Sequence, residues 1–211
     1  MRFIFVAFIA LTITGCAFNN LKVNPVPTDV STKLTGGEKR EIIVQIPFSD
    51  VRKINKRCGM QKNGYNMDTA DAICTADPAL KLSELLTQEL RSVGFNVMNS
   101  DDNNKPSAVK IQGSLAKFFI EPVAGFSTIT LETDIQLKLT ATSNNGLLAE
   151  REFFVKGVES AMMSREENFQ LATDDAVRKI IKDMVAAILT LMNRNPTLGL
   201  NNQDFITTSK L

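Results

Sequence analysis

The sequence predicts an α+β fold: a two-layer domain, mainly antiparallel sheet with two helices packed on one face. Three observations carry this. Apolar residues recur every three or four positions in two separate stretches, 82–93 and 169–192. Between them the spacing changes to alternation. It is plainest from Ile129 to Leu139, where odd positions are apolar apart from Thr133 and even positions are polar. Residues three or four apart share a helix face and residues two apart share a strand face. Placing both helices on one side of the sheet buries all of these apolar faces together.

Taken in chain order, the first predicted strand is Glu41-Ile42-Ile43-Val44-Gln45-Ile46, stopped by Pro47. Phe48 to Ala76 then reads as a long polar connection, of a length that is usually functional or contains short structure of its own. Asp77-Pro78 opens a helix, with Asp as N-cap and Pro at the first helical position. Leu82, Leu85, Leu86, Leu90 and Val93 form its apolar face, and Gly94 ends it. Phe95-Asn96-Val97 reads as a short strand, and Asp101-Asp102-Asn103-Asn104 as part of a surface loop. Val109, Ile111, Leu115 and Phe119 mark a strand that runs to Pro122. The alternating 129–139 strand follows. Asn145-Gly146 predicts a type I′ hairpin leading to its partner, Leu148 to Val158. Ser164 and Glu167 form a capping box for the last helix, which Asn195-Pro196 stops.

The chain ends are different. Met1-Arg2 supplies one positive charge, and Phe3 to Thr14 is almost wholly apolar, closing with Gly15 before Cys16. A basic start, a short apolar run and small residues at the cut make a secretory signal peptide. The run is far below the ~20 residues of a spanning helix. Cys16 directly after Gly15 resembles the lipobox of bacterial lipoproteins, which implies a lipidated cysteine at the head of the mature chain. The domain organisation that follows is 1–15 signal peptide, 16–40 flexible tether, 41–195 single periplasmic domain and 196–211 loose tail. The tether reading rests on Asn, Pro, Thr and Gly without apolar periodicity.

Composition narrows the function. The chain has 24 Lys+Arg and 23 Asp+Glu, so nothing electrostatic draws it to nucleic acid. It contains no histidine, which excludes Ser–His and Cys–His catalysis and histidine zinc sites. No tryptophan and a single tyrosine, Tyr65, argue against an aromatic sugar platform. Export into an oxidising compartment makes Cys58 and Cys74 a disulfide pair rather than a metal or catalytic one. No metal site and no cofactor are expected.

Among polar residues, Asp50 and Arg52 stand just past the first strand, as a surface ion pair or a site at the sheet end. Glu132 and Asp134 share one strand face and could form an acid–base pair, although Thr130, Gln136 and Lys138 beside them read as a solvated surface. The most distinctive stretch is the turn Lys62-Asn63-Gly64-Tyr65-Asn66. With Asp50 and Arg52 it makes a candidate recognition loop, since binding residues concentrate on loops. Tyr65 is either presented to a partner or packed as a cap on the sheet end. Both readings stay open, and its place in a disulfide-closed segment leans to the cap.

The lipobox, the strand running into Asp50-Val51-Arg52, the Lys62–Met67 turn and Leu85…Leu90…Gly94-Phe95-Asn96-Val97 together resemble the YajG-like uncharacterised bacterial lipoproteins. The resemblance spans about residues 13–192 and implies a membrane-anchored domain facing the periplasm, with no established activity. Ala17 rather than Asp after the cysteine implies sorting to the outer membrane, by analogy with enteric bacteria. The expected role is non-catalytic contact with an envelope protein or polymer. A second reading is an auxiliary subunit for lipid or polysaccharide transport, which predicts an apolar groove between sheet and helices. A third is an enzyme using Asp50, Glu132 or Asp134.

Overall fold

The computed structural model describes residues 19–63, 65–98, 107–125, 127–163 and 165–200. The signal peptide, Cys16, Gly64, the Asp101–Asn104 loop, Ser164 and residues 201–211 lie outside the described residues. Eleven elements follow in order: β1 Leu21–Val23, β2 Glu41–Val44, β3 Ser49–Asp50, β4 Gly59–Lys62, β5 Asp68–Cys74, α1 Pro78–Ser92, β6 Asn96–Met98, β7 Val109–Ala124, β8 Ile129–Ser143, β9 Gly146–Ala161 and α2 Glu166–Arg194. The α+β class holds. The sheet is mixed, with long antiparallel β7–β8–β9 ladders and short parallel strands added beside them.

β7 is the spine. One edge pairs with β8 over almost its full length, from Lys110↔Thr142 to Ala124↔Ile129. Its other edge takes three short parallel partners in turn: β2 at Ile42↔Val109, β3 at Ser49↔Ser114 and β4 at Gly59↔Ile120. β4 turns back antiparallel into β5, and β1 closes that edge, parallel to β5 at Leu21↔Ala72.

The helices form where the sequence places them. Asp77 caps α1, its Oδ1 accepting from the Ala79 N–H at 2.9 Å, and Gly94 beyond the end adopts φ +104°. At α2 the N-cap is Arg165, and Asn168 Oδ1 accepts the Arg165 N–H at 3.2 Å in the place assigned to Glu167. α2 lies on β8 and β9, with α1 beside it. Its apolar stripe of Phe169, Ala172, Ala176, Val177, Ile180, Ile181, Met184 and Val185 is fully buried. Closest approach occurs at Gly157, where a Cβ would fall 2.1 Å from the Ala172 carbonyl oxygen. The backbone of α2 therefore rests directly on β9. Thr133, paired with Gly157, is the one fully buried polar residue on the apolar face of β8. Its hydroxyl has no hydrogen-bond partner among the described residues.

Two expectations are corrected and a third is made specific. The tether fails between residues 19 and 40, because this segment is laid along the domain. Val23 is completely buried, Val26, Val30 and Leu34 pack against the core, and Asn24 exchanges two hydrogen bonds with the Gln170 side chain, each 2.8 Å. A few apolar residues set among prolines, together with side-chain partners, hold it in place, a composition that reads as a linker. The polar connection 48–76 contains β3, β4 and β5, held by ladder bonds, the disulfide and a few buried residues such as Phe48 and Ala72. At the hairpin, β8 and β9 close through Ser143↔Gly146, so Asn144-Asn145 form the loop. Only Gly146 there has positive φ, +110°, whereas a type I′ turn needs it at both central residues. Beyond α2, Gly199 extends the domain: it donates to the Ser107 carbonyl at 3.1 Å and accepts from the Glu41 N–H at 2.7 Å.

Candidate functional site

The predicted recognition residues separate into two places. Asp50 and Arg52 form a fork-to-fork pair, with Arg52 Nε and Nη2 donating to the two carboxylate oxygens at 2.9 Å each. The Arg52 side chain is only 5% exposed, and Nη1 also approaches Cys58 Sγ at 3.7 Å. Hydrogen bonding from Arg52 is the main reason the Asp50 carboxyl is held below its ordinary value. Planar bidentate pairing of this kind fixes geometry as well as charge. The Cys58–Cys74 disulfide is present, with Cα atoms 5.5 Å apart, and it ties the start of β4 to the end of β5. Asp50, Arg52, Asn55, Lys56, both cysteines and the α1 cap line one polar cavity of about 310 Å³.

Lys62, Asn63, Tyr65 and Asn66 stand elsewhere. Asp50 is opposite Leu115 on β7, whereas Lys62 Nζ bonds to Glu121 at 2.9 Å. That is roughly 20 Å further along the strand at its ordinary rise. The turn is built around Asn63, whose Oδ1 accepts from the backbone N–H groups of Tyr65 and Met67 at 3.0 and 3.1 Å. Asn66 occupies the left-handed region at φ +62°, which asparagine tolerates better than most residues. Tyr65 is 87% exposed, so it does not pack as a cap on the sheet end. The cap reading needed an apolar seat at the sheet end, and Asn63 shapes the turn without one.

Glu132 and Asp134 do share a face, with charges already engaged. Lys156 bonds to Glu132 and lies 3.4 Å from Asp134, and Lys117 reaches Asp134 at 2.6 Å. Their partners are cations on the neighbouring strands β7 and β9. Among the described residues, no group of three His, Cys, Asp or Glu could hold a metal ion.

Sequence reasoning missed a groove on the same face. Val51, Lys53, Ile54, Met60, Lys117, Phe119, Glu121 and Gln136 line about 580 Å³ between the 51–54 loop and β7. Val51 and Ile54 are 57% and 47% exposed, and Arg57 lies 5.8 Å over the Phe119 ring. The available signal was two large aliphatic residues inside an otherwise charged loop.

Comparison with known proteins bears on this arrangement. Residues 33–187 match a family described as uncharacterized lipoprotein, Lipoprotein_16. The chain belongs to that family. The YajG-like resemblance agrees with it, and the lipoprotein has no helix among the described residues long and apolar enough to cross a membrane. No curated protein matches the sequence. Among solved structures, protein XCC0632 from Xanthomonas campestris is similar with TM-score 0.61 and 13% identity, over 83% of this chain and 98% of that one. At that identity the likeness shows the fold alone. PelC from Paraburkholderia phytofirmans is more distant, with TM-score 0.36 and 12% identity over 75% of this chain and 90% of its own, and carries no argument.

Proposed function

We propose that this lipoprotein is held on the periplasmic face of the outer membrane by a lipidated Cys16 and works by binding an envelope protein or polymer, without catalysis. The two helices cover one face of the sheet and leave the opposite face to the partner. The observation that carries this reading is the groove beside β7. At about 580 Å³ it falls within the range of specific binding clefts, roughly 300–1,000 Å³. It combines exposed Val51 and Ile54 with Lys53, Lys117 and Glu121 at its margin. An apolar floor with a polar rim is the usual composition of a binding patch. The carboxylates that an enzyme would use support the same reading. Asp50 is committed to Arg52, and Glu132 and Asp134 to Lys156 and Lys117.

The transport-subunit reading draws on a second groove, between α2 and the hairpin end of the sheet. Ile111, Leu139, Phe153, Ile188 and Leu191 line it, with Arg151 and Arg194 at its margin. Its volume of about 220 Å³ is below the usual range for a ligand cleft, which favours the first reading.

The test places a photo-crosslinking amino acid at Ile54 in the full chain in intact cells, with Leu147 as the control position. A discrete adduct from Ile54 and none from Leu147 is expected. Smears of equal intensity at both positions, or no adduct at Ile54, would remove the groove as the binding surface.

A further inference from the structure

Four large apolar side chains are exposed at one end of the sheet: Tyr65 and Met162 at 87%, Met67 and Met163 at 56%. They come from two different connections. Tyr65 and Met67 belong to the β4–β5 turn, and Met162 and Met163 lie between β9 and α2. The strand register puts both connections at the same end. β7 finishes there at Ala124↔Ile129, β9 finishes there at Ile129↔Ala161, and β4 runs parallel to β7. Asn63, Asn66 and Met162 line one shared cavity of about 270 Å³, so the two connections are neighbours. Large apolar side chains exposed together at one end in this way mark a contact with protein or membrane.

The N-terminal strand settles which. β1 runs parallel to β5, and β5 begins at Asp68, at this same end. Chain preceding Leu21 is therefore directed towards the exposed tip. Asn20 Oδ1 accepts from the Asp71 N–H at 3.2 Å, one position closer to the tip than the Leu21↔Ala72 pair. Only Ala17 and Phe18 stand between Cys16 and Asn19. Three peptide steps reach at most about 10 Å. A lipid on Cys16 thus holds the membrane surface within a few residues of Tyr65, Met67, Met162 and Met163.

We infer that this tip is a membrane-docking surface. The four side chains enter the lipid headgroup region of the bilayer that carries the anchor, and the β8–β9 hairpin points away from it. The inference rests on the anchored reading above. Tyr65 suits the position because its ring is apolar and its hydroxyl stays hydrated at headgroup level. Unbranched methionine side chains adapt to an irregular, mobile contact. Formal charge does not drive the docking, since Lys62 is neutralised by Glu121 and Arg165 stands beside Glu166 and Glu167.

The absence of tryptophan makes a clean test. Single Tyr65→Trp, Met162→Trp and Leu147→Trp variants of the lipidated full chain are reconstituted into phospholipid vesicles whose acyl chains are brominated near the headgroup. Flotation separately reads anchoring. The Tyr65→Trp and Met162→Trp chains should float, with blue-shifted emission that brominated lipid quenches, while Leu147→Trp emission is unaffected. Flotation with unquenched, red emission from both tip variants would overturn docking and leave anchoring intact. Failure of all variants to float would overturn the anchored reading and docking with it. Tip emission that is blue-shifted but unquenched, and that varies with protein concentration, would assign the tip to a second copy of the chain and overturn the lipid assignment.

Discussion

Asp50 and Arg52 illustrate how one residue pair ties charge to local geometry. Arg52 is almost completely buried, so removing its carboxylate strands a guanidinium beside the disulfide. Asp50→Asn should destabilise the protein by roughly 2 kcal/mol, in line with hydrogen bonds to charged groups. The acid dependence follows from the sign of the shift. The folded carboxyl titrates below its ordinary value of 3.8, so its contribution is complete above that pH and is lost as pH falls through the lower folded value. The gap between the urea midpoints of wild type and Asp50→Asn should be constant well above pH 3.8 and should narrow as pH falls below it. Thr133 is the opposite case, since its buried hydroxyl is unpaired among the described residues. Thr133→Val keeps the shape and should raise stability by about 1 kcal/mol, because no desolvated group is left unsatisfied. Tyr65→Ala should move thermal unfolding hardly at all, within the ±0.5 kcal/mol typical of surface sites. A loss of several degrees would instead return Tyr65 to a structural role.

At the scale of elements, the contact between α2 and β9 depends on an absent side chain. A Cβ at Gly157 would overlap the backbone of α2 at Ala172 and Ala176, so no rotamer change relieves it. Gly157→Ala should cost about 3 kcal/mol, the upper part of the overpacking range, read as a lowered denaturant midpoint. What the sequence reveals and conceals divides along this line. α1, α2 and the β7–β9 meander each present enough periodic apolar residues to be read directly, and Asp77 and Gly94 mark α1 on both sides. β3, β4 and β5 are short, and their polar side chains imitate a loop. The 19–40 segment hides because prolines and glycines interrupt its few apolar residues, and its backbone is satisfied by Gln170 and Glu89 from the two helices. For the site, the Asp50–Arg52 pair was legible from its two-residue spacing. The groove floor was not, because Phe119 and Met60 come from strands 59 positions apart in the sequence.

For the whole molecule, the consequence is a short leash. With residues 19–40 laid on the domain, the proposed anchor would have only a few residues of reach instead of tens of Å, and the proposed docking would hold the domain against the bilayer in one orientation. In that proposed arrangement the tip would face lipid, and the groove beside β7 would be left to the proposed partner. The distinct termini, the family of the chain and the direction of β1 all bear on this arrangement, and all depend on one thiol. Lipid attachment needs the nucleophilic sulfur of Cys16. The decisive measurement is membrane fractionation of Cys16→Ser against wild type, with size and detergent extraction recorded. Wild type should be mature-sized and released from membranes only by detergent, and the variant should either leave the membrane fraction or remain uncleaved. A mature-sized Cys16→Ser chain that still requires detergent for extraction would contradict the account.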